Sequence, residues 1–325
     1  MSGSCSKFLR VAGASFALFI LTISSGCLTG NFAKTYRNPI LPKHDMADPD
    51  VLKVGEKYYL YGTTHGRGYE VFVSDNLVKW KSKGIAFEDP RRGAWAPDLF
   101  HDERGDGKFY LYYTDSAPVT ESGERRKQVG VAVADSPLGP FVDKGPLAVG
   151  CIDAHLFHDD DGKYYLYYVE IEGGFKIFAQ EMETPLKPKG ERIEIIRPTE
   201  PWEMAGGSVT EGPFMLKHNG TYYMMFSGSG ADSRFYAIGY ATSKSPLGPF
   251  VKNPGNPIVR GGGNVIGPGH HCVVVGPDQK LWMIYHQKKT PDISWPRFLA
   301  LDPLWFDEQG VIHAKTSHGT DQPGP

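Results

Sequence analysis

Five polar residues stand at matching points of a repeated pattern. Counting nine residues back from the turn positions Gly107, Gly162, Gly220 and Gln279 reaches Asp98, Asp153, Glu211 and His270. The first copy has a shorter hairpin, and seven back from Gly55 is Asp48. Each of the five opens an apolar strand, as in Asp48-Pro-Asp-Val-Leu and Glu211-Gly-Pro-Phe-Met-Leu. A lone Asp at a strand start usually caps a turn. Recurrence at one position of every unit points to a shared use. Carboxyl groups crowded into one apolar-walled funnel have raised pKa values, and unequal surroundings push individual members apart. One carboxylate ready as a base beside one carboxyl still protonated is what acetal hydrolysis needs.

The elements that must position these groups are read from two recurring phrases. Gly55-Glu-Lys-Tyr-Tyr-Leu-Tyr61 returns at Gly107–Tyr113, Gly162–Tyr168 and Gly220–Phe226, and more weakly at Gln279–Tyr285. Their central aromatics, Tyr59, Tyr110, Tyr165, Tyr223 and Trp282, are spaced by 51, 55, 58 and 59 residues. A second phrase, Ser-Pro-Leu-Gly-Pro-Phe, closes an apolar alternating strand at Val129–Val142 and again at Ile238–Val251. Tight turns entering β-rich strands, with a period in the fifties, predict an all-β five-bladed β-propeller with four-stranded antiparallel blades. If the strand headed by each polar residue is innermost in its blade, the five groups converge at one mouth of the central channel. A β-sandwich with coincidental Tyr-Tyr pairs is the simpler alternative.

Composition agrees with this class. Of 325 residues, 13% are aromatic, with 39 Gly and 25 Pro, the mixture expected of strands cut by turns. The 35 Lys and Arg against 37 Asp and Glu leave no basic excess for a nucleic-acid partner. Residues 1–27 read as an export signal: Lys7 and Arg10, an apolar run from Val11 to Ile23, then Ser24-Ser-Gly-Cys27. Gly26-Cys27 resembles a bacterial lipobox, although Ser24 stands where an apolar residue is usual, so a lipid-anchored envelope protein and simple secretion both remain open. Residues 28–36 are expected to be a tether, 37–313 the propeller and 314–325 a loose tail. Cys151 and Cys272 are expected as buried thiols, and the protein as a monomer.

Ala47-Asp48-Pro49, Trp95-Ala96-Pro97, Ile152-Asp153 with Asp160-Asp161-Gly162, Glu211-Gly212-Pro213 and Gly269-His270 resemble, in order, the motifs of glycoside hydrolase family 43. The match spans about Asn38 to Gly310. The resemblance implies an inverting mechanism in which Asp48 activates water, Glu211 protonates the leaving oxygen, and Asp153 holds Glu211 and keeps its pKa high. It also implies a substrate-contacting Arg297 and a calcium ion on the axis near His270, held largely through waters. No cofactor is implied for the chemistry itself. Trp95 and Trp202 are candidates to stack on sugar rings, Trp202 and Trp295 to line the funnel, and Asp98 to contact substrate; core packing is the simpler reading of any one Trp. His271, His286 and Gln287 read as structural.

The expected substrates are oligosaccharides or polysaccharides of plant type, cut from α-L-arabinofuranosyl or β-D-xylosyl ends. Endo-arabinanase and galactosidase activities occur in the same family. Invertase-like propellers carry Asn-Asp-Pro-Asn and Glu-Cys, where this chain has Ala47-Asp-Pro-Asp50 and Glu211-Gly-Pro213. A non-catalytic sugar-binding propeller is the alternative from another class.

Overall fold

The computed structural model describes residues 33–64, 68–89, 91, 93–118, 123, 124 and 126–325. The export signal and residues 28–32 of the expected tether lie outside the described residues.

Strands dominate, and the two phrases explain why. Alternating Tyr, Phe, Leu and Val suit a surface buried on both faces, and Phe109–Ser116 is buried at every position but the last. Apart from a two-stranded pairing near the chain ends, the described strands form five antiparallel sheets. Blade 1 comprises Ala47–Val54, Lys57–Thr63, Gly68–Ser74 and Lys81–Glu88; blade 2 Trp95–His101, Phe109–Ser116, Lys127–Ala134 and Val142–Val149. Blade 3 comprises Cys151–His158, Tyr164–Glu170 and Lys176–Thr184, and its outer position is split between Lys187–Pro188 and Ile193–Ile196. Blade 4 comprises Thr210–His218, Thr221–Gly228, Ala237–Ser243 and Val251–Lys252; blade 5 Gly269–Val275, Leu281–Lys288, Arg297–Phe306 and Ile312–Ala314.

The first strand of each blade contacts the first strand of the next, and the fifth contacts the first. The five sheets therefore close a ring around a channel lined by first strands, a five-bladed β-propeller. Between neighbouring blades lie five apolar clusters, such as Tyr61, Val71 and Leu111 between blades 1 and 2 and Leu60, Phe72, Ile284 and Leu301 between blades 1 and 5. The phrases also bind each other. Tyr61 donates to the Pro137 carbonyl at 2.7 Å, and Tyr167 to that of Pro246 at 2.9 Å, each time from one blade to the Ser-Pro turn of the next. Tyr112 does the same to Pro185 at 2.6 Å, which marks Thr184-Pro-Leu186 as a diverged third copy of that turn. Cys151 and Cys272 are free, buried thiols.

Ring closure corrects the expectation for both chain ends. Thr35–Arg37, assigned to the tether and the first propeller residue, pairs antiparallel with Asp321–Pro323, within the expected loose tail. Asp302 accepts hydrogen bonds from Tyr36, Asn38, Tyr285 and Ser317 at 2.7–2.9 Å. A buried carboxylate with this many donors is a clasp. Residues 314–325 lack the apolar alternation that marks the blades, so their strand was not visible in the sequence.

Candidate active site

Each first strand bends sharply where it enters the channel mouth. A β-bulge interrupts its pairing in all five blades, and the residue there has a positive φ: Asp48 (47°), Ala96 (37°), Asp153 (56°), Gly212 (57°) and His270 (44°). Four of these are not glycine, which is a strained backbone and requires fixing from outside. The bent residue's N–H is taken each time by the preceding blade. His286 Nδ1 accepts from Asp48 at 3.3 Å, Thr63 Oγ1 from Ala96 at 2.7 Å, Thr114 Oγ1 from Asp153 at 3.0 Å, and Ser227 Oγ from His270 at 2.8 Å.

These four acceptors hold equivalent positions, each opposite the residue just before the bend in its own blade. In blade 3 that position is Val169, paired with Ile152, and it has no side-chain acceptor. The Gly212 N–H goes instead to Asp153 Oδ2 at 3.1 Å. Asp153 is thereby tied beside Glu211.

The bends gather Asp48, Asp153, Glu211 and His270, with Arg297, around a pocket of about 350 Å³ whose walls include Thr64, Trp95, Phe175 and Trp295. Trp95 is 44% exposed, and Lys127 Nζ lies 3.4 Å from its ring centroid. Asp48 Oδ1 lies 3.0 Å from Arg297 Nη1, 3.2 Å from His286 Nδ1 and 3.4 Å from His270 Nδ1. His270 Nδ1 is also 3.8 Å from Asp153 Oδ2, so the two carboxylates flank one imidazole edge. Glu211 Oε1 accepts from Tyr236 at 2.7 Å, and Tyr236 stacks on His286 with planes 6° apart.

The carboxyls differ in their hold on a proton. Burial pushes Asp48 up, but Arg297, then His270 and His286, outweigh it and hold the group well below its ordinary range. Burial raises Glu211 to about 7, against the Tyr236 hydrogen bond and with help from the Asp48 charge. Burial, then Glu211 and Asp48, drive Asp153 up as well. Burial lowers His270 against the pull of Asp48, and brings His286 down to about 3. At neutral pH the site holds an ionised Asp48 and at least one proton on the Asp153–Glu211 pair.

Two expectations are corrected. Asp98 lies deeper in the channel, aligned with Asp50, where its oxygens meet His155 Nδ1 at 2.6 Å and the Leu156 N–H at 3.0 Å. It ties blade 2 to blade 3. The blade 2 hairpin closes from Asp102 to Lys108, two residues longer than the Asp159–Lys163 closure of blade 3, so the count back from Gly107 stops two residues short of the bend at Ala96. Trp202 lines a separate cavity rather than the carboxylate pocket. His271 is buried with both ring nitrogens unpartnered among the described residues, while Gln287 bonds Tyr285 and Ser317. Tyr236 and Phe175 had no sequence signal, being single loop residues outside both phrases.

Calcium requires six to eight oxygen ligands. The carboxylate oxygens nearest His270 already serve Arg297 and the Gly212 N–H. Among the described residues no three His, Cys, Asp or Glu side chains are placed to hold a metal. The donor set does not fit an ion ligated directly by protein.

A five-bladed propeller with carboxyls of opposed protonation at its mouth defines a glycosidase. The family model for glycosyl hydrolases family 43 matches residues 36–312, and the chain belongs to that family. It is 29% identical over 303 residues to the β-D-galactofuranosidase xynD of Aspergillus niger, covering 85% of this chain and 83% of that one. It is 28% identical to the extracellular endo-α-(1→5)-L-arabinanase 1 of Bacillus subtilis, covering 80% and 85%. Among solved structures, a thermostable family-43 glycoside hydrolase superposes with a TM-score of 0.79 at 36% identity, covering 89% of this chain and 99% of that one. An endo-1,4-β-xylanase from Bacteroides thetaiotaomicron gives 0.76 at 34%, covering 84% and 95%.

Proposed function

We propose that the protein is an inverting, exo-acting glycosidase that removes α-L-arabinofuranosyl or β-D-xylosyl ends from plant-type glycans. The observation that carries this reading is the opposed proton affinity of Asp48 and Glu211 in one small pocket. Asp48, kept ionised by Arg297, takes a proton from the attacking water. Among the described residues its Oδ2 has no hydrogen-bond partner and it is not one of the buried unsatisfied oxygens, which leaves it for that water. Glu211, kept protonated, delivers its proton to the departing glycosidic oxygen. Asp153 positions Glu211 through the Gly212 backbone, while burial and the Asp48 charge keep Glu211 protonated.

The water attacks the anomeric carbon from the face opposite the leaving group, the C–O bond to the leaving group breaks, and configuration inverts. That geometry needs acid and base roughly 6.5–9.5 Å apart. A pocket of about 350 Å³ is near the small end of ligand sites, a size that suits a chain end. Trp95 and Phe175 line the pocket, and aromatic rings suit the C–H faces of sugars. Export by residues 1–27, with Cys27 as the anchor if lipidated, and a monomeric propeller whose ends are joined by Thr35–Arg37 and Asp321–Pro323 complete the proposal; the Bacillus subtilis relative is extracellular by name.

The test uses Asp48→Ala and Glu211→Ala on aryl arabinofuranosides and xylosides. Each should cost ~10²–10⁴ in rate. Glu211→Ala should be least impaired on the best leaving groups, which need no proton. Wild-type rates in both variants would refute the assignment.

A further inference from the structure

A second cavity, of about 540 Å³, lies beside the carboxylate pocket. The same two loops wall both. The blade 4 loop before Ala237 gives Ala231 to the pocket and Arg234 and Phe235 to the cavity. The blade 5 loop before Arg297 gives Ser294 and Trp295 to the pocket and Pro291 to the cavity. The cavity therefore extends the rim of the funnel towards blades 4 and 5.

Its lining is largely apolar. Phe235 is 53% exposed, a ring that folding leaves uncovered. Trp202 projects from the short helix Pro201–Met204, which is held by the buried Glu203 and its 2.6 Å contact with Lys252 Nζ. The indole packs over Gly228 and Gly239, where a Cβ would come within 2.4 and 2.8 Å of its ring. Glycine at both positions makes room for a fixed aromatic plate. The indole N–H is buried without an acceptor among the described residues, a costly omission for a donor of this kind.

The rim carries two guanidinium groups in unequal states. Arg234 is paired with Asp292. Arg260 has no hydrogen bond, ion pair or ring contact among the described residues. Aromatic plates suit the C–H faces of sugar rings, while an unpaired planar guanidinium matches a carboxylate through two parallel hydrogen bonds. A neutral sugar would leave that charge unused. A phosphate dianion would call for more cationic partners than one free Arg.

We propose that this cavity is an accessory subsite for a hexuronosyl residue of the glycan being cut, with Arg260 on the carboxylate and Phe235 and Trp202 against the ring. The proposal rests on the glycosidase reading, but binding tests it separately. Calorimetry would compare a glucuronosyl-bearing xylo-oligosaccharide with its carboxyl-reduced counterpart, on wild type, Arg260→Ala and Phe235→Ala. Wild type should bind the acidic glycan tighter by about tenfold or more. Arg260→Ala should erase that preference, and Phe235→Ala should weaken both ligands while keeping it. Hydrolysis of a small aryl glycoside, measured in parallel, should be unchanged in both variants. Equal affinity of wild type for the two glycans, or a preference that survives Arg260→Ala, would overturn the subsite. Loss of all aryl glycoside hydrolysis in wild type would instead count against the glycosidase reading.

Discussion

Asp153 accepts the Gly212 N–H at 3.1 Å because Val169 offers that amide nothing. In every other blade a Thr, Ser or His stands where Val169 does and takes the amide of the next bend. The missing acceptor draws a carboxylate into a structural bond and sets it beside Glu211.

Val169→Thr restores the hydroxyl of the other blades and should compete with Asp153 for the Gly212 amide. Freed of that bond, Asp153 should place Glu211 less well and lower kcat by about tenfold or more. Val169→Ile, with no hydroxyl, should stay within a few-fold of wild type. Steady-state rates of the two variants make the comparison, and an active Val169→Thr enzyme would show the bond to be dispensable.

The pH profile should be bell-shaped. Activity needs Asp48 ionised, so the acid limb appears as pH falls through its depressed pKa. It needs Glu211 protonated, so the alkaline limb appears as pH rises through about 7. The Tyr236 hydrogen bond lowers the Glu211 pKa. Tyr236→Phe should therefore move the alkaline limb to higher pH and leave the acid limb in place.

Arg297→Met removes the strongest opponent of Asp48 protonation. The acid limb should move upward, and kcat/KM should fall by ~10² or more even at the new optimum. A profile that only loses height would mean that Arg297 acts on substrate alone.

Glu211 also bears on stability. Its pKa rises from 4.5 unfolded to about 7 folded, so the native state binds the proton more tightly. The native state is then favoured at low pH, and that benefit is lost as pH rises from about 4.5 to 7. Glu211→Gln should raise the melting temperature at pH 8, reflecting ~3 kcal/mol by linkage. At pH 4 it should change little.

Removal of residues 315–325 deletes Ser317 and the strand paired with Thr35–Arg37. The buried Asp302 then loses two of its donors, at ~1–3 kcal/mol for each group left unsatisfied. Thermal melting should shift down by several degrees. A loose tail would leave the melt unchanged.

The sequence announced the architecture because the propeller is built by repetition, and repeated Tyr-rich strands and Ser-Pro turns are visible without alignment. Asp48, Asp153 and His270 fell at the bend for the same reason. Glu211 lies one residue before it, and Asp98 two beyond its blade's bend at Ala96, because hairpin lengths differ between blades. What repetition could not reveal was anything unique. Tyr236, Phe175 and the Asp302 clasp each occur once, and the role of Val169 depends on a side chain that is absent.

The most direct test follows the anomeric proton by ¹H NMR while wild-type enzyme cleaves an aryl β-D-xyloside. If Asp48 activates water opposite a proton-donating Glu211, α-D-xylose appears first and the β anomer accumulates only by mutarotation. Release of β-D-xylose as the first product would contradict this division of roles.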